Sequence, residues 1–417
     1  MALTIGVGLV DSVFDRKALE TAFDSVLEAM RSAQRAHVRD PAAHKRKIQN
    51  HRDRRSEMLD RIITRHEGEG TLRFTRFVTK IPKVPGGTAE RPISLFSFEE
   101  RIILRSLLDI VWPLLEVQIV PSVSYCTFRK LGGLHPERGI AKAVQTISEE
   151  RRGHGYHIFE TDIKAFFDRI DRVKLLDQAT SILNDDSLTE ILQAMLYAET
   201  EFDKRFADDS PVEADELGVP QGAALSPLLA CTYLSPFDKH MESNGFKMFR
   251  YVDDLVILGT EAECRQAECL CRDILKSEYG LDVHPDPTKT KHVQPNEALI
   301  FLGHEIYPDG ILKPSPKRRT RVANHVYKTI CGYKADYGLI KGLPGANQDD
   351  VINKLSGYLL GYFGNMSHCN WTVTDYAEVV GYITGALKSR GLQMNRLSKG
   401  LRKASKKWPP EFLEALP

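Results

Sequence analysis

Residues 249–259 read FRYVDDLVILG. Two carboxylates, Asp253 and Asp254, sit at the centre of an otherwise apolar, β-favouring run. Adjacent like charges repel, and an apolar flank raises the cost of each. Folding alone gives no reason for the pair, whereas a cation held between carboxylates does. The run reads as strand, tight turn, strand, which sets the acids at a hairpin tip facing a cleft. A hard ion such as Mg2+ wants octahedral oxygen ligands and keeps waters or substrate phosphates. A third carboxylate is therefore expected from elsewhere in the chain.

The best candidate is Asp162, in HIFETDIKAFFDRID at 157–171. It ends an alternating strand and precedes a helix, so an ordinary helix N-cap is the competing role. If its strand lies beside that of Asp253, the carboxylates reach one pair of metal ions, as phosphoryl transfer requires. Glu160, Asp168 and Asp171 read as solvated or structural.

The surroundings fit a globular protein. Of 417 residues, 42% are hydrophobic and 27% charged, which suits two or three domains with a sizeable core. No apolar run is long enough to span a bilayer, and MALTIGVGLVDSVFD lacks the basic start of a signal peptide. A cytoplasmic protein with no membrane partner is the expectation. Seven cysteines contain no CxxC pair and read as reduced thiols. The net charge of +1 hides a segregation. Lys313 to Lys334 holds seven Lys or Arg and Leu387 to Pro410 eight, both without an acid. Residues 31–65 are also basic, while acid collects in 184–216. Basic surfaces for a polyanion follow.

Periodicity predicts helices over 12–66, strands in 71–94, and a helix over 96–120 interrupted near Pro113. A strand at 157–163 precedes helices over 172–183 and 189–200. GVPQG at 218–222 opens an apolar helix, and a further helix ends at Gly280. FLGHEIYPDGILK is a hairpin turning around Pro308–Gly310. After about 315 the pattern is helical only, near 317–333, 348–364, 372–389 and 393–407.

At this point a family resemblance becomes specific. YVDD at 251–254, FETDIKAFFD at 159–168 and GVPQGAALSPLLA at 218–230 resemble the palm motifs of reverse transcriptases, in that family's order. RPISLFSFEERIILR (91–105), SYCTFRKLGG (124–133), DPTKTK (286–291) and FLGHEI (301–306) are similar to further motifs of the family. The resemblance covers about 75–335. It implies an α+β right-hand polymerase: fingers and palm of antiparallel sheet plus helices, then an all-α thumb. The implied boundaries are an N-terminal helical extension at 1–70, fingers at 71–150, palm at 151–312 and thumb at 313–417.

The same resemblance implies the roles. Asp162, Asp253 and Asp254 hold two Mg2+ ions, with Mn2+ as a substitute. Lys289 is a general acid toward pyrophosphate. Lys83 and Arg91 clamp the triphosphate, Phe167 rejects a 2′-hydroxyl, and Gln221 touches the nucleotide or template base. Tyr251, Gly222, Leu302 and Gly303 contact primer or nucleic acid. Partners are an RNA template, dNTPs and a DNA product. The chain is most similar to bacterial enzymes of the group II intron-like lineage, and within it to the defence-associated "unknown group" reverse transcriptases, which copy a cognate non-coding RNA. A maturase-like or retron-type enzyme, template-independent or protein-primed synthesis, and a non-catalytic RNA scaffold are the alternatives. The NAxxH and VTG signatures of retron enzymes are not found in the sequence.

Overall fold

The computed structural model describes residues 8–37, 41–68, 72–82, 90–119, 122–126, 138–202, 217–335, 338–340, 348–392, 401 and 408–416. They form two compact units: 1–139 with 158–292, and 140–157 with 293–417. The chain is α+β, as its sequence predicts.

The first unit opens with α1 (Leu9–Phe14), α2 (Arg16–His37), α3 (Pro41–Asp53) and α4 (Arg55–Glu67). Strands β1 (Thr75–Pro82) and β2 (Glu90–Phe96) pair antiparallel and lead into α5 (Phe98–Glu116). Ser97 caps α5 in a capping box: its Oγ accepts from the Glu100 N–H, and Glu100 accepts from the Ser97 N–H. Glu100 also accepts from the Thr75 N–H at 2.7 Å, so one carboxylate joins β1 to α5. Leu104, Leu107, Leu108, Val111 and Leu115 bury the inner face of α5, against which α2 packs.

Pro113 does not interrupt this helix, contrary to the sequence expectation. It sits on the solvent side in the last turn, where the carbonyl it leaves without an N–H partner can be hydrated. The helix expected over 189–200 also ends early. It is α9 (Thr189–Leu196), after α8 (Arg172–Leu183); Glu199–Phe202 becomes β4, parallel to β1. The intervening elements are α6 (Ile140–Arg151), which belongs to the second unit, β3 (His157–Asp162) and α7 (Phe166–Arg169). Asp171 caps α8 by accepting from the Lys174 N–H, the structural role read for it.

The apolar stretch after GVPQG is two helices, α10 (Ser226–Tyr233) and α11 (Ser235–Ser243), each opening on a proline near its N-terminus. Strands β5 (Lys247–Tyr251) and β6 (Asp254–Gly259) follow, then α12 (Glu261–Tyr279), ended by Gly280. The site-bearing sheet has the order β5-β6-β3-β7, with β7 at Lys291–Val293.

In the second unit β8 (Leu299–Phe301), β9 (His304–Ile306) and β10 (Leu312–Pro314) form an antiparallel sheet. The expected turn near Pro308–Gly310 joins β9 to β10. A second, tighter turn at Leu302–Gly303 joins β8 to β9, and both of its residues have positive φ, the signature of a two-residue hairpin loop. Helices α13 (Pro316–Cys331), α14 (Gln348–Asn365) and α15 (Val373–Lys388) and a last short helix, Pro410–Ala415, bury Val326, Leu355, Ile383 and Phe412 together. This region is not free of strands: β11 (Tyr333–Ala335) and β12 (Gly338–Ile340) pair as a small hairpin. Apart from Leu401, the helix expected at 393–407 lies outside the described residues, as do residues 203–216 of the acidic 184–216 stretch.

Gly222 shows what the PQG turn demands. Its φ is +115°, and a Cβ there would meet the Ser94 carbonyl oxygen of β2 at 2.7 Å. The close approach is to protein backbone, fixed by the Ser94 N–H donating to the Gln221 carbonyl at 2.6 Å. Gly222→Ala should therefore destabilise the fold by about 2–4 kcal/mol. Gly245→Ala, with φ +80° and nothing within 4 Å, should cost about 1 kcal/mol. Denaturant melts of both variants check the contrast; equal effects would contradict it.

Candidate active site

Asp253 and Asp254 stand where β5 turns into β6. Tyr251 pairs with Asp254, leaving Val252 and Asp253 as the two-residue loop. Val252 has φ +62°, an unfavourable conformation for a β-branched residue. Three contacts hold it there. Its N–H donates to Cys126 Sγ at 3.0 Å, its carbonyl accepts from Arg250 Nη1 at 2.8 Å, and Arg250 is fixed by a fully buried ion pair with Asp238.

Asp162 ends β3, the strand next to β6. The Ile163 N–H donates to the Asp253 carbonyl at 3.0 Å, and the His284 N–H donates to the Asp162 carbonyl at 2.7 Å. The neighbouring α7 is capped at Ala165, not Asp162, so the N-cap alternative for this acid falls away. Backbone pairing thus brings together the three acids singled out in the sequence.

Their electrostatics match the crowding. Desolvation pushes the Asp253 carboxyl above the usual carboxylate range, and Asp162 pushes it further, against the pull of Arg91 and Lys289. Burial pushes Asp254 up to about 7, reinforced by Asp253, Asp162 and Glu160. Both side chains remain partly accessible, so a ligand can reach them. Lys289 Nζ sits 2.5 Å from Asp162 Oδ2 and Lys291 Nζ 3.3 Å from Glu160. Hard oxygens from two adjoining strand ends, mutually repelling and already drawing a lysine ammonium, fit a divalent cation.

The remaining candidates divide. Arg91, on β2, is exposed, and its charge reaches Asp253. Phe166 is fully buried, whereas Phe167 is only partly buried and packs at the margin of the core; the Phe167 carbonyl accepts from the Val219 N–H at 2.7 Å, joining α7 to the GVPQG turn. Gln221 Nε2 donates to Asp168 at 2.8 Å, which gives Asp168 a partner beside the site. Tyr251 is partly buried next to the turn. Leu302 and Gly303 form the β8–β9 turn of the second unit. Lys83 lies outside the described residues.

Sequence reasoning passed over Arg250, Asp238 and Cys126, which shape the turn. A signal existed for Arg250, since an arginine inside the apolar strand KMFRY must find a buried acid. Nothing local marked Asp238 as that acid.

The carboxylate crowding has a measurable sign. Between the ordinary aspartate value and about 7, the unfolded chain has lost the Asp254 proton and the folded chain keeps it. Stability therefore falls as pH rises through that window. In chelator-treated buffer Asp254→Asn should raise stability by roughly 1–3 kcal/mol above about pH 7 and by almost nothing near pH 4. Thermal melts across pH check this, and a pH-independent or destabilising effect would contradict it.

A family model described as reverse transcriptase (RNA-dependent DNA polymerase) matches residues 81–306. The chain is similar to protein YkfC of Escherichia coli (strain K12), 25% identical over 265 residues that cover 54% of this chain and 65% of that protein. It is similar to the group II intron-encoded protein LtrA of Lactococcus lactis subsp. cremoris, 29% identical over 149 residues, 36% of this chain and 22% of that protein. It spans less than two thirds of the length of either relative. Among solved structures, apo telomerase from Candida tropicalis aligns over 86% of this chain and 68% of its own at 12% identity, with a TM-score of 0.46, too slight a likeness to carry an argument. The family match spans more than half of the chain and includes all three acids and the turns that hold them: the chain belongs to the reverse transcriptase (RNA-dependent DNA polymerase) family.

Proposed function

We propose that this protein is an RNA-directed DNA polymerase that joins deoxynucleotides to a primer 3′-hydroxyl at Asp162, Asp253 and Asp254. The observation that carries the proposal is the Ile163–Asp253 backbone bond, which sets two acids from distant parts of the chain side by side. Family membership supports the same reading.

The three carboxylates would hold two Mg2+ ions. When bound, such ions lower the cost of ionising the attacking hydroxyl and of charge on the phosphoryl oxygens. The chain's own groups do the rest. Lys289, paired with Asp162 in the free protein, would donate a proton from its Nζ to the departing pyrophosphate. Arg91 supplies fixed positive charge beside the triphosphate. Gln221, oriented by Asp168, meets the nucleotide or template base. Phe167 packs under the sugar and excludes a 2′-hydroxyl by bulk. The Leu302–Gly303 turn lies along the primer, and the basic helices of the second unit follow phosphates without reading sequence. The proposal extends to a cognate non-coding RNA as template and to anti-phage defence; its support is the likeness of the motifs to the defence-associated lineage.

Asp253→Ala should abolish primer extension on an RNA template while RNA binding stays within about twofold. Residual synthesis at the wild-type rate would refute the assignment of the acids. Phe167→Ala should raise ribonucleotide use relative to deoxynucleotides by about tenfold or more. Unchanged discrimination would place the gate elsewhere. Sequencing the RNA and new DNA that copurify with the protein tests the template, since one enriched RNA species is expected and a random population would contradict it.

A further inference from the structure

A second cluster of ligating side chains lies in the second unit, within its own fold. His304 opens β9 and is fully buried. Its Nδ1 lies 3.0 Å from the Leu302 carbonyl oxygen. That nitrogen must carry the proton to make the bond, so the Nε2 lone pair is left free. It faces His368 Nε2 at 2.8 Å. Cys369, also buried, brings a thiol to the same point, and the three ligating atoms lie within 4.8 Å of one another. Met366 Sδ is 3.9 Å from Cys369 Sγ.

The cluster is pre-positioned on both sides. The His304 end is anchored in the β8–β9 hairpin. The segment after α14 is pinned to β10, where the Asn370 N–H donates to the Leu312 carbonyl at 2.9 Å and the Leu312 N–H donates to the Asn370 side chain at 2.7 Å. Trp371 Nε1 donates to the Met366 carbonyl at 2.8 Å. A single hydrogen bond satisfies a histidine pair, but it gives no reason for a buried thiol and thioether to converge there. A metal ion does.

We propose that His304, His368 and Cys369 bind a thiophilic d10 metal ion, with Met366 as a weak fourth neighbour. Two imidazoles and a thiolate suit zinc or monovalent copper, and thioether sulfur adds weight to copper. Charge favours the monovalent ion. Neutral imidazoles and one thiolate sum to −1, so Cu+ leaves the site neutral and Zn2+ leaves it at +1. The Arg318 guanidinium lies close by, 3.8 Å from Met366 Sδ.

The step balances without a redox partner. The His368 Nε2–H···Nε2 His304 bond breaks, and the His368 proton moves to Nδ1 through solvent. The thiol releases its proton. Two metal–nitrogen bonds and one metal–sulfur bond form. The histidine nitrogens need to separate by only about 0.5 Å to hold one ion at ordinary bond lengths. Once bound, the ion staples the β8–β9 turn to the segment after α14.

The test uses the full chain stripped with chelator, then dialysed against Zn2+ or, under reducing anaerobic conditions, against Cu+. Metal is counted by mass spectrometry and stability by thermal melts. One equivalent of at least one of the two ions should remain and raise the melting midpoint. His368→Gln, at a half-buried position, and Cys369→Ser should lose the metal and the shift. Cys269→Ser, which removes an exposed thiol, should keep both. Failure to retain either ion overturns the proposal, as does equal retention in His368→Gln and Cys369→Ser. The metal count on wild type stands even where a variant folds poorly.

Discussion

Two fully buried charges, Arg250 and Asp238, set the position of the turn on which the site depends. Burial works against the charge on Arg250, but the Asp238 carboxylate more than offsets it and holds the guanidinium firmly cationic. The spare Nη1 then grips the Val252 carbonyl. Arg250 also exchanges backbone bonds with the 123–125 segment, donating to the Val123 carbonyl and accepting from the Tyr125 N–H. The left-handed conformation of Val252 is thus over-determined, as such strain must be in order to persist. Removing one partner of such a pair costs about 3–5 kcal/mol, because it leaves an unpaired buried charge.

From that anchor the rest follows by strand pairing. Fixing Val252 fixes Asp253, whose carbonyl receives the Ile163 N–H. Asp162 is the residue before Ile163, so the acid of β3 is placed by the backbone of the β5–β6 turn. Three carboxylates kept together against their repulsion lower the stability of the metal-free protein. Lys289 and Lys291 relieve part of this by pairing with Asp162 and Glu160. Sites that bind cations accept this conflict between stability and function.

Much of this was legible in the sequence because the signals are local. Alternation and turn chemistry marked β3, β5 and β6, and the mismatch of two acids in an apolar run marked the turn. Where the reading failed, the deciding partner was distant or the local signal weak. Pro113 looks like a break, yet it lies on the wet side of a last turn, where the loss is small. Residues 199 and 200 continue the helical pattern read from 189, yet pairing with β1 draws 199–202 into a strand. The glycine at 222 signalled close approach, but not that the approaching atom is a backbone oxygen of β2. The hairpin of β11 and β12 has three-residue strands, too short for periodicity to register. His304 and the His368–Cys369 pair are 64 and 65 positions apart, and no spacing rule joins them; only the packing of β9 against the segment after α14 does.

The central claim is that Asp162 and the 253–254 turn share one divalent-cation site. Replacing Mg2+ with Fe2+ and triggering hydroxyl-radical cleavage with ascorbate and peroxide maps that site on the backbone itself. Cuts at both Asp162 and Asp253, suppressed together by excess Mg2+, are the predicted result. Cleavage at one strand without the other, or at neither, would contradict it.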